Sequence, residues 1–220
     1  MGNYRHRMME SILQEDIPYR VVEYLESDGE AYIDTGICPA DISPVLEVEM
    51  YKKNLSSIYY VIGSDGSGNT RFSIGIVRST GIEVRVGGYR QVTNKDERFY
   101  RIKLNSITGQ CHIDDALVYT GSKNAANNTY PILLFTSSTS TGTVRAIAKG
   151  VGIARFRLLD RSRLVADYYP VDVDGVGYYY DKVTKTLHGN AAPSGAFIIG
   201  GGNWLIINTL CCPQEERRAA

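Results

Sequence analysis

Apolar and polar residues alternate along this chain with a period of two. In Pro44-Val-Leu-Glu-Val-Glu-Met-Tyr-Lys-Lys53, Leu46, Val48 and Met50 fall on one side and Glu47, Glu49 and Tyr51 on the other. That spacing predicts a strand with one buried and one wet face. The pattern recurs. Phe72, Ile74 and Ile76 share a face in 71–76, Val84 pairs with Val86, and Tyr100, Ile102 and Leu104 oppose Arg101 and Lys103. Turn formers close each run: Ser64-Asp-Gly-Ser-Gly-Asn69, Ser79-Thr-Gly81, Gly87-Gly88 and Asn105-Ser-Ile-Thr-Gly109. Many short strands so spaced predict an all-β sandwich or barrel. Helical signal is confined to residues 5–16, where Met8, Met9, Ile12 and Leu13 share part of a face and Pro18 stops the run.

Length changes little in this picture: 220 residues suit one large β domain. The expected organisation is an N-terminal arm or short helix over 1–17, a β domain over 18–202, and an extension over 203–220. That extension comprises an apolar strand at Asn203–Leu210, with the single Trp, and a charged tail. Charge excludes more. Lys plus Arg and Asp plus Glu both number 24, and no basic stripe marks a nucleic-acid surface, so nucleic acid is not an expected partner. No apolar run approaches the roughly 20 residues of a helical membrane span, so membrane insertion is not expected. The N-terminus lacks the apolar core of a secretory signal. Cys38, Cys111, Cys211 and Cys212 show neither Cys-x-x-Cys spacing nor a nearby His cluster, which predicts free, mostly buried thiols and no zinc site.

Two end segments carry a resemblance: Glu23-Tyr-Leu-Glu-Ser-Asp-Gly-Glu-Ala-Tyr-Ile-Asp-Thr-Gly36, and the stretch from Ala154-Arg-Phe-Arg-Leu-Leu-Asp160 through Leu164-Val-Ala-Asp-Tyr-Tyr-Pro-Val171 to Asp174-Gly-Val-Gly-Tyr-Tyr-Tyr-Asp-Lys-Val-Thr184. Over about residues 20–200 the chain resembles the concanavalin A-like or laminin G-like jelly rolls encoded by gut bacteria and their phages. Cys111–Thr120 is similar to the family's hairpin, with Asp115 where glycine is usual, so a different turn is expected there. The resemblance implies two antiparallel sheets packed face to face. It does not select a function, because the superfamily holds lectins, glycosidases and structural modules.

The residues themselves argue about chemistry. Glu47 and Glu49 are two apart on one strand face, the spacing a retaining glycosidase needs. The third acid of the laminarinase-type pattern is replaced, with Tyr51 and Lys52 following, so solvated strand-face charges are the expectation and no catalytic residue is assigned. His6, His112 and His188 lie in unrelated contexts. Asp172-Val-Asp-Gly175 fails as an EF-hand, since Val176 and Val183 fill ligand positions. Asp65-Gly-Ser-Gly-Asn69 could offer oxygens to calcium but also reads as a plain hydrophilic turn; no cofactor is expected. Sixteen tyrosines suit stacking on sugar rings, though in adjacent pairs one ring should face the core. The expected glycan contacts are Asp65, Asn69, Arg71, Tyr89 and Arg90, taken as polar residues on loops over a rigid sandwich. Absence of a leader favours the phage branch: a non-enzymatic virion protein, made in the host cytoplasm, homo-oligomeric, contacting other virion proteins or cell-surface glycans. The alternative is a bacterial carbohydrate-binding surface protein, and a glycoside hydrolase is the third reading.

Overall fold

The computed structural model describes residues 17–53, 57–66, 70–77, 81–93 and 96–200. Most of the expected arm, the expected strand at 203–210, the tail, Asn69, Cys211 and Cys212 lie outside them. In chain order the strands are β1 (Arg20–Val21), β2 (Tyr24–Ser27), β3 (Ile33–Asp34), β4 (Pro44–Lys52), β5 (Ile58–Asp65), β6 (Arg71–Val77), β7 (Gly81–Val86), β8 (Gly88–Thr93) and β9 (Arg98–Asn105). They continue with β10 (Gln110–Ile113), β11 (Ala116–Thr120), β12 (Leu133–Leu134), β13 (Ser138–Thr139), β14 (Val151–Asp160), β15 (Arg163–Val173), β16 (Val176–Asp181), β17 (Thr186–His188) and β18 (Phe197–Gly200). Among the described residues the one helical element is a 3₁₀ turn at Pro39–Asp41.

These strands make two sheets. The larger runs β11-β10-β9-β4-β14-β15-β16-β17, with β1 on β15 and with β2, itself paired to β18, beside the start of β14. The smaller runs β3-β12-β5-β6-β7-β8. Every named pairing is antiparallel except that of β13, which lies parallel to β5. The result is a jelly-roll sandwich of two antiparallel sheets.

The period-two reading becomes the core. Leu46, Val48 and Met50 of β4 are buried while Glu47, Glu49 and Tyr51 stay half-buried outside. Tyr100, Ile102, Leu104, Phe156 and Leu158 extend that inner face, and Phe72, Ile74, Ile76, Ile82, Val84 and Val86 answer from the smaller sheet. Burying such side chains, at roughly 1.5–3 kcal/mol each, is what drives the two faces together. Adjacent tyrosines divide as alternation requires. Tyr168 and Tyr179 are fully inside, with the Tyr179 hydroxyl donating to the Ile153 carbonyl at 2.8 Å. Tyr169 sits on the other face, roofed by the Arg155 guanidinium 4.7 Å above its ring. Burial beside Asp167 pushes its phenol up to about 12.

The polar residues of the end motifs turn the chain. Asp28 accepts from the backbone N–H groups of Glu30, Ala31 and Ala196. Desolvation opposes its charge, but those bonds outweigh it and hold its pKa below the ordinary carboxylate value. Asp181 takes the N–H of Asp167 and of Val183 at 3.0 Å each and the Thr184 hydroxyl at 2.7 Å. Asp174 and Gly175, both at positive φ, form the two-residue turn between β15 and β16. The β10–β11 turn is built in the same way from Asp114 and Asp115, at φ 50° and 68°. Aspartate at the glycine position is kept there by Arg101, whose guanidinium binds Asp115 at 2.7 Å and whose backbone N–H reaches Asp114 at 3.0 Å.

One expected turn moves. Ser64 and Asp65 are not loop residues but the last two of β5, paired with Phe72 and Arg71. Cys38 is half-buried and Cys111 buried, both free, and burial raises the Cys111 thiol to about 12.

Candidate functional site

The outer face of the smaller sheet carries a cleft of about 290 Å³. Its floor follows from register. Tyr60 of β5, Gly75 of β6 and Glu83 of β7 lie side by side across the sheet, and next to them run Gly63, Ser73, Arg85 and Tyr89. Glycine and serine in the middle strands leave the hollow; long side chains on either side wall it. The ladder shifts register between Tyr60 and Ile62, the bulge that allows Tyr60 to join the outer face.

Asp65 anchors the polar network at one end. It faces outward but is 1% exposed, because two guanidiniums close over it: Arg85 Nη1 at 2.5 Å and Arg145 Nη2 at 3.2 Å from Oδ2. Ser73 Oγ donates to its other oxygen at 3.3 Å. Arg85 also binds Glu83 through Nε and the Tyr60 hydroxyl at 3.0 Å. Desolvation works against the Arg85 charge, but the bond to Glu83 and the field of Asp65 prevail, and its pKa lies above the usual arginine value. The Tyr60 ring lies 4.6 Å from the Arg85 guanidinium and 4.4 Å from that of Arg145. At the mouth, Arg71 sits over the Tyr89 ring at 5.7 Å, and Tyr89 is 61% exposed.

Three of the five expected contact residues meet here: Asp65, Arg71 and Tyr89. Asp65 has a different part from the one expected. Strand pairing and the two arginines make it a buried strut rather than a rim group, so its oxygens are not available to calcium. Arg90 is a correction as well. It pairs with Val84, a core residue, so it projects from the opposite face of edge strand β8 from Tyr89. Successive side chains of a strand point to opposite faces of the sheet. Asn69 lies outside the described residues. Tyr60, Glu83, Arg85 and Arg145 were not expected. Glu83 and Arg85 stood on the polar side of an alternation that could be read, but their alignment with Tyr60 depends on register, and Arg145 arrives from an irregular segment. Among the described residues no three His, Cys, Asp or Glu gather as a metal cage.

A larger hollow, about 740 Å³, lies on the outer face of the other sheet and contains Glu47 and Glu49. Glu47 accepts from Lys103 at 2.8 Å through Oε1 and from Arg157 at 2.7 Å through Oε2. Both oxygens are thus held by cations on the two flanking strands, β9 and β14. Arg155 reaches across to Asp167 with two bonds of 3.0 Å. Among the described residues that line this hollow there is no Tyr, Phe or Trp, and the ring present is that of His112. Arg101, Lys103, Arg155 and Arg157 each meet a carboxylate, on Asp115, Glu47 and Asp167.

No protein-family model and no curated protein matches the chain. Among solved structures, a candidate carbohydrate-binding protein from Bacteroides ovatus superposes with a TM-score of 0.55 at 13% identity, over 83% of this chain and 61% of that one. The chain therefore spans about three fifths of that protein's length. The CBM40 of a Ruminococcus gnavus IT-sialidase matches at a TM-score of 0.44 and 16% identity, over 69% of this chain and 92% of its own. A heptameric SAP-like pentraxin from Limulus polyphemus matches at 0.37 and 10%, over 65% and 71%. The first of these likenesses shows the fold.

Proposed function

We propose that this protein binds carbohydrate, through the cleft on the smaller sheet. The observation that carries the reading is the exposed Tyr89 ring beside a fixed fan of guanidinium donors. Tyr offers an apolar face to a sugar ring and adapts little on binding, while arginine N–H groups address hydroxyls. The donors around Asp65 are already oriented by ion pairs, so little conformational freedom is lost when a ligand arrives. The Bacteroides ovatus protein of the same fold is itself named for carbohydrate binding, which supports the reading. No acid–base pair in the cleft is arranged for hydrolysis: Asp65 and Glu83 are both engaged by Arg85.

A glycan array followed by titration calorimetry tests this. The expected result is binding in the micromolar to millimolar range that Tyr89→Ala weakens about tenfold or more. Retention of no glycan, or binding indifferent to Tyr89, overturns it. Display on a bacterial surface and display on a phage particle are both compatible with this cleft. The virion proposal expects the protein in the proteome of purified particles, and its absence there would remove that proposal without touching the cleft.

A further inference from the structure

We infer that the sugar this cleft takes carries a carboxylate, and that Arg71 is the residue that binds it; the inference rests on the carbohydrate reading above.

The argument begins with charge. Three guanidiniums, those of Arg71, Arg85 and Arg145, line the cleft against two carboxylates, those of Asp65 and Glu83. The carboxylates are not shared evenly. Arg85 takes both Asp65 and Glu83, and Arg145 takes Asp65. No carboxylate of a described residue lies within ion-pair distance of Arg71, whose contact is the Tyr89 ring, and its Nε is buried without a hydrogen-bond partner. One positive charge is therefore left over at the mouth of the cleft, on the side chain that touches the exposed aromatic.

Geometry makes the surplus specific. A guanidinium offers N–H groups in a planar fork matched to the two oxygens of a carboxylate. Arg71 has its guanidinium 5.7 Å from the centre of the Tyr89 ring, and β6 fixes its base opposite Asp65. A pyranose resting on the part of the exposed ring that Arg71 leaves open would bring a carboxyl substituent within reach of that fork. Stacking and ion pairing would then act on adjacent parts of one residue of the glycan. The cleft also limits the charge it accepts. Asp65 and Glu83 remain in the wall, so a monoanion is neutralised by Arg71 while a group with more negative charge meets repulsion. A singly charged carboxylate therefore fits better than a phosphate monoester.

The rival reading of Arg71 is a surface cation whose alkyl stem covers Tyr89 and nothing else. The two differ in what they expect of a ligand. A cover is indifferent to ligand charge; a carboxylate receptor is not.

The test uses the full chain on an array that presents uronic-acid and sialic-acid glycans, each beside its carboxyl-reduced counterpart, their neutral analogues, and the same neutral sugars carrying a phosphate monoester. Wild type is expected to bind at least one acidic glycan tenfold or more tightly than its reduced form, with the gap narrowing as salt is raised. Arg71→Gln is expected to bring the acidic glycan down to the level of the reduced one, while Tyr89→Ala weakens both. Circular dichroism of each variant confirms that it is folded. Equal binding of acidic and reduced forms by wild type, or a gap that survives Arg71→Gln, overturns the carboxylate inference and leaves carbohydrate binding standing. Binding to none of the glycans overturns both. Equal or tighter binding of phosphorylated sugars overturns the choice of a monoanion.

Discussion

The two outer faces of this sandwich are both rich in charge, yet they are built differently. On the larger sheet each cation meets a carboxylate across a neighbouring strand: Lys103 and Arg157 on Glu47, Arg155 on Asp167. No tyrosine, phenylalanine or tryptophan is among the described residues that line the hollow between them. On the smaller sheet small residues open a floor, two tyrosines flank it, and one guanidinium has no carboxylate among the described residues. A charged face that is internally balanced is finished; one with a surplus and an exposed ring is waiting for something.

Four measurements would break or sharpen this contrast. The largest effect is expected at Asp65. Replacing it with Asn takes away the only carboxylate bound by Arg145 among the described residues and leaves Arg85 with Glu83 alone. A neutral amide then stands where a buried carboxylate held both guanidiniums, at a cost of about 3 kcal/mol, read as a lowered urea midpoint together with loss of glycan binding. Tyr89→Ala should separate function from stability. Affinity falls about tenfold or more, while the unfolding free energy moves by about 0.5 kcal/mol or less, since the ring is mostly in solvent. Glu47→Gln on the opposite face should cost roughly 1 kcal/mol or less and leave binding intact, because its partners are half-exposed and can return to water. A loss as large as that of Asp65→Asn would show that the two faces do not differ.

The smallest effect concerns pH. Both histidines among the described residues are on the larger sheet, and His188 stacks on Tyr168 with ring centroids 4.5 Å apart. Burial lowers its pKa, partly offset by Asp181 and Asp34. A depressed histidine contributes stability that is complete above its unfolded value near 6.5 and is lost as pH falls through the folded value. Thermal melts should therefore show a lower Tm at pH 5.5 than at 7.5, with a smaller difference in His188→Gln. Hydrogen exchange should locate the loosening at β16 and β17 and not in the cleft. Equal sensitivity of wild type and variant would remove the assignment.

Much of the fold was legible because burial on one face writes itself into alternation. Strands β4, β6 and β9 begin and end within a residue or so of where the pattern placed them. The cleft was legible only in part, since alternation says which residues face outward but not which lie side by side. Arg71, Ser73 and Gly75, and Glu83 with Arg85, were each on the readable outward side. Joining them to Tyr60 required a register that a bulge shifts, and joining Arg145 required the course of an irregular segment about 80 residues from Asp65. Arg90 was grouped with Tyr89 as a polar loop residue; both are in strand β8, where the pleat sends their side chains to opposite faces.

The pairing of β2 with β18 sets Tyr24 opposite Gly200 and Leu25 opposite Ile199. This corner of the larger sheet therefore joins segments far apart in the sequence and carries a loop-closure cost that the local hairpins beneath the cleft, β6–β7 and β7–β8, do not.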